Sequence, residues 1–200
     1  MKKSILTLIA ITLVVLGSAN FTYAAAKNNA ITVLSTISTF NKIEVRGNVE
    51  LIVATGDKNK VEVNNSYYAE NALLQSENGV LRISSYKAAK LVVYVTANDL
   101  QSITAYDNAT VKSDGKLSLI ALDVTLNGTA YANLNMDNYA ANITVNDQAK
   151  ADLTGNITEY SLNYSHSSTV NRTMLVAENT TETVTNPYPA AKQDIRVIAD

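Results

Sequence analysis

The sequence predicts an all-β protein whose strands follow one another in a β-solenoid, and three features of its second half support this prediction. Apolar and polar residues alternate with period two, which is typical of β-strands. The alternating pattern returns about every twenty residues along positions 103–170. Many inward positions are alanine, which is a weak strand former, so its recurrence indicates closely spaced walls.

The alternation is clearest in two consecutive pairs of strands. Residues 122–127 and 130–137 form the first pair, and residues 141–146 and 149–154 form the second pair nineteen positions later. An earlier strand around Ala109 and Val111 precedes the second strand of the first pair, at Ala130 and Ala132, by twenty-one positions. Polar turns such as Asn127-Gly128 separate the strands. Each unit therefore consists of a strand, a turn, a second strand and a second turn.

Equivalent positions of successive units have similar chemistry, which favours stacked coils over other all-β folds. Such sets are Thr125, Thr144 and Asn163, and Asn133, Asp152 and Asn171. An antiparallel β-sandwich is the alternative, because strands about ten residues apart with intervening turns fit that fold equally well by spacing alone.

The start of the chain predicts a secretory signal peptide over residues 1–24, with cleavage also compatible with position 26. Lys2 and Lys3 precede an apolar run at 5–16, and small and polar residues follow at 17–26. The run is too short to span a membrane. A polar lead occupies residues 25–37. We therefore expect Sec-dependent export to the periplasm, the cell surface or the medium.

The remaining residues, 38–200, predict one β-solenoid domain, since no Pro-, Gly- or Ser-rich linker divides them. Its coils are clearest at 103–170. Pro187 and Pro189 cannot donate to a central ladder, so residues 172–200 are predicted to form an irregular cap or tail. The chain has no cysteine, so we expect neither disulfides nor a lipid anchor.

Charge and hydropathy argue against nucleic acid binding and against a membrane-spanning segment. The formal net charge is −2, and loss of Lys2 and Lys3 with the signal peptide would make it −4. Nucleic acid binding requires clustered lysine and arginine, so a mildly acidic chain argues against it. No later segment is continuously apolar, so we expect no transmembrane segment in the mature chain.

A succession of strand motifs carries a family resemblance. The motifs lie at residues 40–45, 47–49, 80–83, 93–96 and 100–103. Together they resemble the family named "putative auto-transporter adhesin, head GIN domain", exported proteins of Gram-negative bacteria, over about residues 38–170. The resemblance implies a right-handed parallel β-helix and an adhesive function, and it carries no defined site.

Catalytic chemistry finds little support in the sequence. His166 is the only histidine and falls in a predicted turn, so neither a triad nor a histidine metal cluster is indicated. Paired carboxylates could cleave polysaccharides on such a fold. The candidates, which fall mostly at turns or outward positions, are Asp107, Asp123, Asp137, Asp147 and Asp152. We predict no catalytic residue, no metal and no cofactor.

One outward face is a candidate ligand surface, because Tyr131, Asn133, Lys150 and Asp152 fall on adjacent predicted coils. Polar and aromatic faces suit glycans or proteins. The ordinary alternative is that such side chains merely cover a sheet. We predict a non-enzymatic adhesion or cell-envelope binding module, whose partner is a glycan or an envelope protein. The alternatives are a polysaccharide-active enzyme and a structural protein that self-associates.

Overall fold

The computed structural model of the chain describes residues 31–33, 39–64 and 73–185. These residues form thirteen β-strands. In chain order they are β1 Ile31–Val33, β2 Lys42–Gly47, β3 Val49–Thr55, β4 Lys60–Asn64, β5 Leu73–Glu77, β6 Val80–Ser85, β7 Leu91–Ala97, β8 Ser102–Tyr106, β9 Thr110–Ser113, β10 Ala121–Leu126, β11 Tyr131–Val145, β12 Lys150–Ser165 and β13 Thr169–Thr185.

All thirteen strands belong to one sheet of mixed direction, which curls into a half-barrel. Two branches of shorter strands meet at β11, because β9 pairs with its residues 131–133 and β10 with its residues 140–145. The first branch continues from β9 through β3, β7 and β4 to β1, and the second continues from β10 through β8, β2 and β6 to β5. On the other side of β11 lie β12 and then β13.

The prediction of a right-handed parallel β-helix with irregular caps is wrong. Pairing is parallel in the centre of the sheet, but the far end of each branch reverses direction. The pairs β1–β4, β4–β7 and β5–β6 are all antiparallel. The alternative of an antiparallel sandwich fails as well, because there is a single sheet and most of its ladders are parallel. Of the predicted fold class, the all-β content is confirmed.

The predicted register between neighbouring strands of the second half is confirmed. Thr125 lies opposite Thr144, and Thr144 lies opposite Asn163. Asp152 likewise lies between Asn133 and Asn171. Each of these side chains therefore has a neighbour of similar chemistry about 4.8 Å away along the hydrogen-bonding direction.

The regular pairing continues beyond the predicted limit at Arg172. A register irregularity between Asp152 and Thr154 lengthens the offset from nineteen residues at Lys150–Thr169 to twenty at Thr154–Met174. After this irregularity β13 stays parallel to β12 up to Thr185. The change of offset explains why the repeat is lost in the sequence although the strands remain paired.

The long strand β11 bends at the junction of the two branches. In β11 the buried positions alternate up to Met136 and Asn138, and they resume in the opposite phase at Ala141. At the bend the backbone N–H of Leu119 donates to Asn138 Oδ1 at 3.0 Å. A change of phase in a period-two pattern means that the strand turns a corner while keeping apolar side chains inside.

Both branches contribute to one hydrophobic core. One set of inward residues on neighbouring strands runs from Leu51 through Val111 and Ala132 to Ala151, and each of them is at most 1% exposed. The small alanines lie where the long strands β11 and β12 pair. The inward alanines predicted from the sequence therefore do occupy the core.

The predicted signal peptide, the polar lead up to residue 30 and the tail after Thr185 lie outside the described residues. The boundaries of one domain over 38–200 stay a prediction. Within the described ranges, no helix has the length and hydrophobicity needed to cross a bilayer.

Candidate functional site

The structure brings the four predicted ligand-face residues together on β11 and β12. Tyr131 lies opposite Lys150, and Asn133 lies opposite Asp152. All four point away from the core, because the residues between them, Ala132 and Ala151, are buried. We call Tyr131, Asn133, Lys150 and Asp152 the outer strip.

A short diagonal hydrogen bond fixes the tyrosine of the outer strip. The Tyr131 hydroxyl donates to Asp152 Oδ2 at 2.5 Å. This bond, together with partial burial, raises the pKa of Tyr131 above its usual 10.0. The hydroxyl therefore stays protonated at neutral pH, and the ring is held across the two strands. An aromatic surface with a fixed orientation loses little entropy when a ligand packs against it.

The lysine of the outer strip is left available. Lys150 is exposed and takes part in none of the ion pairs among the described residues. It lines an open groove of about 660 Å³ together with Thr129, Tyr131, Gln148 and Ser167. The groove thus combines one free ammonium group, one aromatic ring and several hydroxyl and amide groups.

A charged cluster that the sequence analysis missed lies beside the outer strip. Lys112 of β9 is opposite Asn133, and its Nζ lies 2.6 Å from Glu50 Oε1. Lys90 Nζ approaches the other oxygen of Glu50 at 3.5 Å. The hydrogen bond from Lys112 holds the pKa of Glu50 below its usual value despite partial burial. The offset of twenty-one residues between Lys112 and Asn133 is the sequence signal that could have found this neighbour.

The carboxylates considered for catalysis are engaged in contacts between strands and turns. Asp147 Oδ2 accepts a hydrogen bond from the Gly128 N–H at 2.8 Å. Asp123 Oδ1 accepts one from Asn142 at 2.7 Å. Asp137 pairs with Lys116 at 3.3 Å. These contacts give the three carboxylates structural partners on neighbouring strands or in nearby segments.

The histidine and the acidic residues do not assemble a metal site in the part of the chain that the structure describes. There, no three His, Cys, Asp or Glu side chains are grouped so that they could hold an ion. His166 is exposed in the turn between β12 and β13, as its position in the sequence predicts.

Known structures resemble this fold. The chain superposes on a putative adhesin from Parabacteroides distasonis with a TM-score of 0.57 at 17% identity, covering 80% of each chain. It superposes on a putative lipid binding protein from the same organism with a TM-score of 0.60 at 10% identity, covering 79% of each chain. At such low identities these likenesses show the fold alone. No curated protein matches the sequence.

The sequence profile of one family matches residues 39–186, which include β2 to β13 and most of the chain. The match includes the residues on which the resemblance was based and extends it through the last strand. The chain belongs to the family described as "Putative auto-transporter adhesin, head GIN domain".

Proposed function

We propose that the protein is an exported, non-enzymatic module that binds a component of the cell envelope of a Gram-negative bacterium through the outer strip. Membership of a family of putative adhesins supports binding as its role. The observation that carries the choice of surface is the unpaired Lys150 beside a tyrosine held by Asp152. An exposed charge without a partner, next to a preorganised ring, is suited to contact a ligand.

The groove suits a glycan or a short segment of an envelope protein. Its volume of about 660 Å³ lies within the range of ligand pockets. Lys150 supplies a positive charge, which favours a ligand with a carboxylate or phosphate near that end. Thr129, Gln148 and Ser167 supply hydroxyl and amide groups for neutral contacts.

Binding to the outer strip can be measured with a glycan array and with pull-down from envelope fractions. We expect Lys150→Ala to weaken retention of the captured ligand by about ten-fold, because it removes the one free charge of the groove. Lys42→Ala is the matched control, since Lys42 is also exposed on an outward strand position and lies on the other branch. Equal binding by both variants, or no ligand in either assay, would contradict the proposal.

Export and the lack of enzymatic activity have separate tests. Fractionation of cells that express the full chain should place the mature protein outside the cytoplasm, with an N-terminus at residue 25 or 27. Purified protein incubated with neutral and anionic polysaccharides should release no new reducing or unsaturated ends. Release of such ends would replace the binding module with a polysaccharide-active enzyme.

A structural role through self-association also has an observation in its favour. Within the described residues β13 pairs only with β12, so its other edge is open over seventeen residues. Met174 and Val176 on this strand are 73% and 64% exposed. Open edges invite pairing with another chain. Sedimentation of the purified protein as a strict monomer at high concentration would exclude this role.

A further inference from the structure

A second cluster of exposed polar and aromatic groups lies where the turns after β2, β6 and β8 meet. Tyr86 follows β6, and its side chain crosses the end of β2 toward Asp107, which follows β8. The Tyr86 side chain is 72% exposed. Arg46 at the end of β2 lies beside Tyr106 at the end of β8. We call Arg46, Tyr86, Tyr106 and Asp107 the tyrosine platform.

The backbone at Gly47 leaves room for the ring of Tyr86. Gly47 has a φ of +76°, and a Cβ at this position would lie 2.3 Å from the Ser85 carbonyl oxygen and 3.0 Å from two carbons of the Tyr86 ring. Only glycine combines that backbone conformation with the close approach of the ring. One side of the Tyr86 ring therefore rests against Gly47 while most of the side chain stays in solvent.

Hydrogen bonds hold the loop that carries Tyr86. The Asn48 side-chain amide donates to the carbonyl oxygens of Lys87 at 3.1 Å and of Ala88 at 3.0 Å. The Asn48 backbone N–H donates to the Ser85 carbonyl at 2.6 Å. At the other end of the ring the Tyr86 hydroxyl donates to Asp107 Oδ2 at 3.3 Å. The exposed ring is thus fixed at both ends before any ligand arrives.

A guanidinium group stacks on the neighbouring tyrosine, Tyr106, which directly precedes Asp107 in the chain. The Arg46 guanidinium carbon lies 3.6 Å from the centroid of the Tyr106 ring, a distance at which cation and ring attract each other. Arg46 belongs to none of the ion pairs within the described ranges. Stacking orients the guanidinium plane and leaves its N–H donors available for a ligand.

We propose that the tyrosine platform is a second binding site, which takes one pyranose ring of a neutral glycan. The C–H groups on one face of a pyranose pack against an exposed aromatic ring, here Tyr86. Hydroxyl groups at the rim of the sugar need both donors and acceptors. Asp107 accepts hydrogen bonds from these hydroxyls, and Arg46 donates to them.

The charges of the platform favour a neutral sugar over an acidic one. Arg46 contributes one positive charge and Asp107 one negative charge, so the pair is balanced. An acidic sugar that approached Arg46 would bring its carboxylate near that of Asp107, and like charges at short range repel. The site goes beyond the proposed role of the outer strip and does not depend on it, because it uses no residue of that strip.

The test is a titration of the purified chain with two matched sugars, methyl β-glucopyranoside and methyl β-glucuronopyranoside, followed by saturation-transfer NMR and by chemical shifts of the tyrosine rings. Methyl galactopyranoside and methyl mannopyranoside extend the neutral set. We expect a neutral glycoside to saturate the wild-type protein. We expect Tyr86→Ala to weaken this binding at least about ten-fold and Tyr86→Phe, which keeps the ring, by less than about three-fold.

Two control variants make the result specific. Tyr139→Ala removes another exposed tyrosine, 61% exposed at the bend of β11, and should leave the affinity for the glycoside unchanged. Lys150→Ala should also leave it unchanged, which separates this site from the outer strip. Because Tyr86 is mostly exposed, Tyr86→Ala should keep the fold, and circular dichroism checks this.

Four outcomes would overturn the proposal. In the first, no neutral glycoside saturates the protein at millimolar concentration. In the second, Tyr86→Ala binds as well as the wild type. In the third, the glucuronoside binds more tightly than the glucoside, which would make the site one for acidic sugars. In the fourth, only Lys150→Ala loses binding, which would place the glycoside in the outer strip.

Discussion

The two halves of the sheet are built from strands of different length and joined by different chemistry. Strands β2 to β9 have four to seven residues each. Strands β11 to β13 have fifteen to seventeen residues, and β11 bends at the junction of the branches. The antiparallel reversals involve β1, β4 and β5, all in the first half.

Contacts between neighbouring strands follow the same division. In the first half, charged groups meet across strands, as Glu44 does with Arg82 and Glu50 with Lys112. In the second half, amide side chains bridge neighbouring strands, as in the hydrogen bond from Asn146 to Asn127 at 2.9 Å. Carboxylates accept from such amides as well, as Asp123 does from Asn142. The comparison teaches that parallel register can be supported by either ion pairs or amide ladders. The two kinds of support should respond differently to pH and salt.

The largest expected effect tests whether the long strands depend on exact backbone geometry. Gly155 lies within β12 at a φ of +107°, and a Cβ there would lie 2.0 Å from the Met136 carbonyl oxygen on β11. We expect Gly155→Ala to lower the free energy of unfolding by more than about 3 kcal/mol, because the strands would have to separate locally. Urea denaturation measures this change.

Gly115→Ala is the matched control, since Gly115 also has a positive φ, +76°, but has no atom within 4 Å of an added Cβ. It should cost about 1 kcal/mol through the backbone conformation alone. Equal losses of unfolding free energy in the two variants would show that backbone strain at a positive φ, and not the close approach of β11 and β12, causes the destabilisation.

A second pair of variants compares the two kinds of contact between strands. We expect Glu50→Gln to cost less than about 1 kcal/mol at pH 7, because the lysines that it pairs with are nearly half exposed. The pKa of Glu50 is lowered from its usual 4.5, mainly by Lys112. The stability that it contributes is therefore present above pH 4.5 and lost as the pH falls through the lowered value.

Asn146→Ala should cost about 0.5–1.5 kcal/mol at every pH, because neither Asn146 nor Asn127 titrates. Both variants and the wild type are unfolded in urea at pH 7 and at pH 3. Each measurement is repeated with about 1 M salt added, which screens interactions between exposed charges. If the stability loss in Asn146→Ala vanished at low pH, the distinction between ion pairs in the first half and amide contacts in the second would be contradicted.

The smallest expected effect concerns Tyr160 on β12, whose hydroxyl is buried and has no hydrogen-bond partner among the described residues. Tyr160→Phe should change stability at pH 7 by less than about 1 kcal/mol, since no hydrogen bond is lost. Burial raises the pKa of Tyr160 to about 12 from 10.0. The wild type should therefore lose stability relative to the variant as the pH rises from 10 towards 12.

Thermal melts of the two proteins between pH 8 and pH 12, a range that begins about two units below the usual value of 10.0 and reaches the raised value of about 12, measure this difference. Parallel curves over the whole range would show that the Tyr160 hydroxyl ionises as readily in the folded chain as in the unfolded one.

The sequence was informative about which strands are neighbours and uninformative about some of their directions. An alternating pattern reads the same from either end, so Val61 and Val63 could mark β4 as a strand without revealing that it runs antiparallel to β7. Residues 73–77 do not alternate, so β5 was not recognisable as a strand in this way. The predicted parallel direction is correct in the second half, where the repeat of whole units indicated it, and in the centre of both branches, but it is wrong for the pairings of β1, β4 and β5. The register irregularity after Asp152 hid the pairing of β13.

The candidate sites were predictable to different degrees for the same reason. Tyr131, Asn133, Lys150 and Asp152 lie on regular strands, so the offset of nineteen residues was sufficient to place them together. Tyr86 lies in a loop, and its approach to Asp107 depends on the conformations of Gly47 and Asn48. Loop contacts of this kind have no period that a sequence could show.

The fixed register of β10 to β12 also bears on how such a gene can change length. Because Ala121 lies opposite Ala140 and Tyr131 opposite Lys150, each nineteen-residue unit in this part of the sheet occupies the same position relative to the one before it. An in-frame duplication of one unit would present new outward side chains beside the old ones and leave the existing ladders intact. The length of the exposed face can therefore change by duplication of single units. A change at the antiparallel ends of the two branches would instead require new strand pairings.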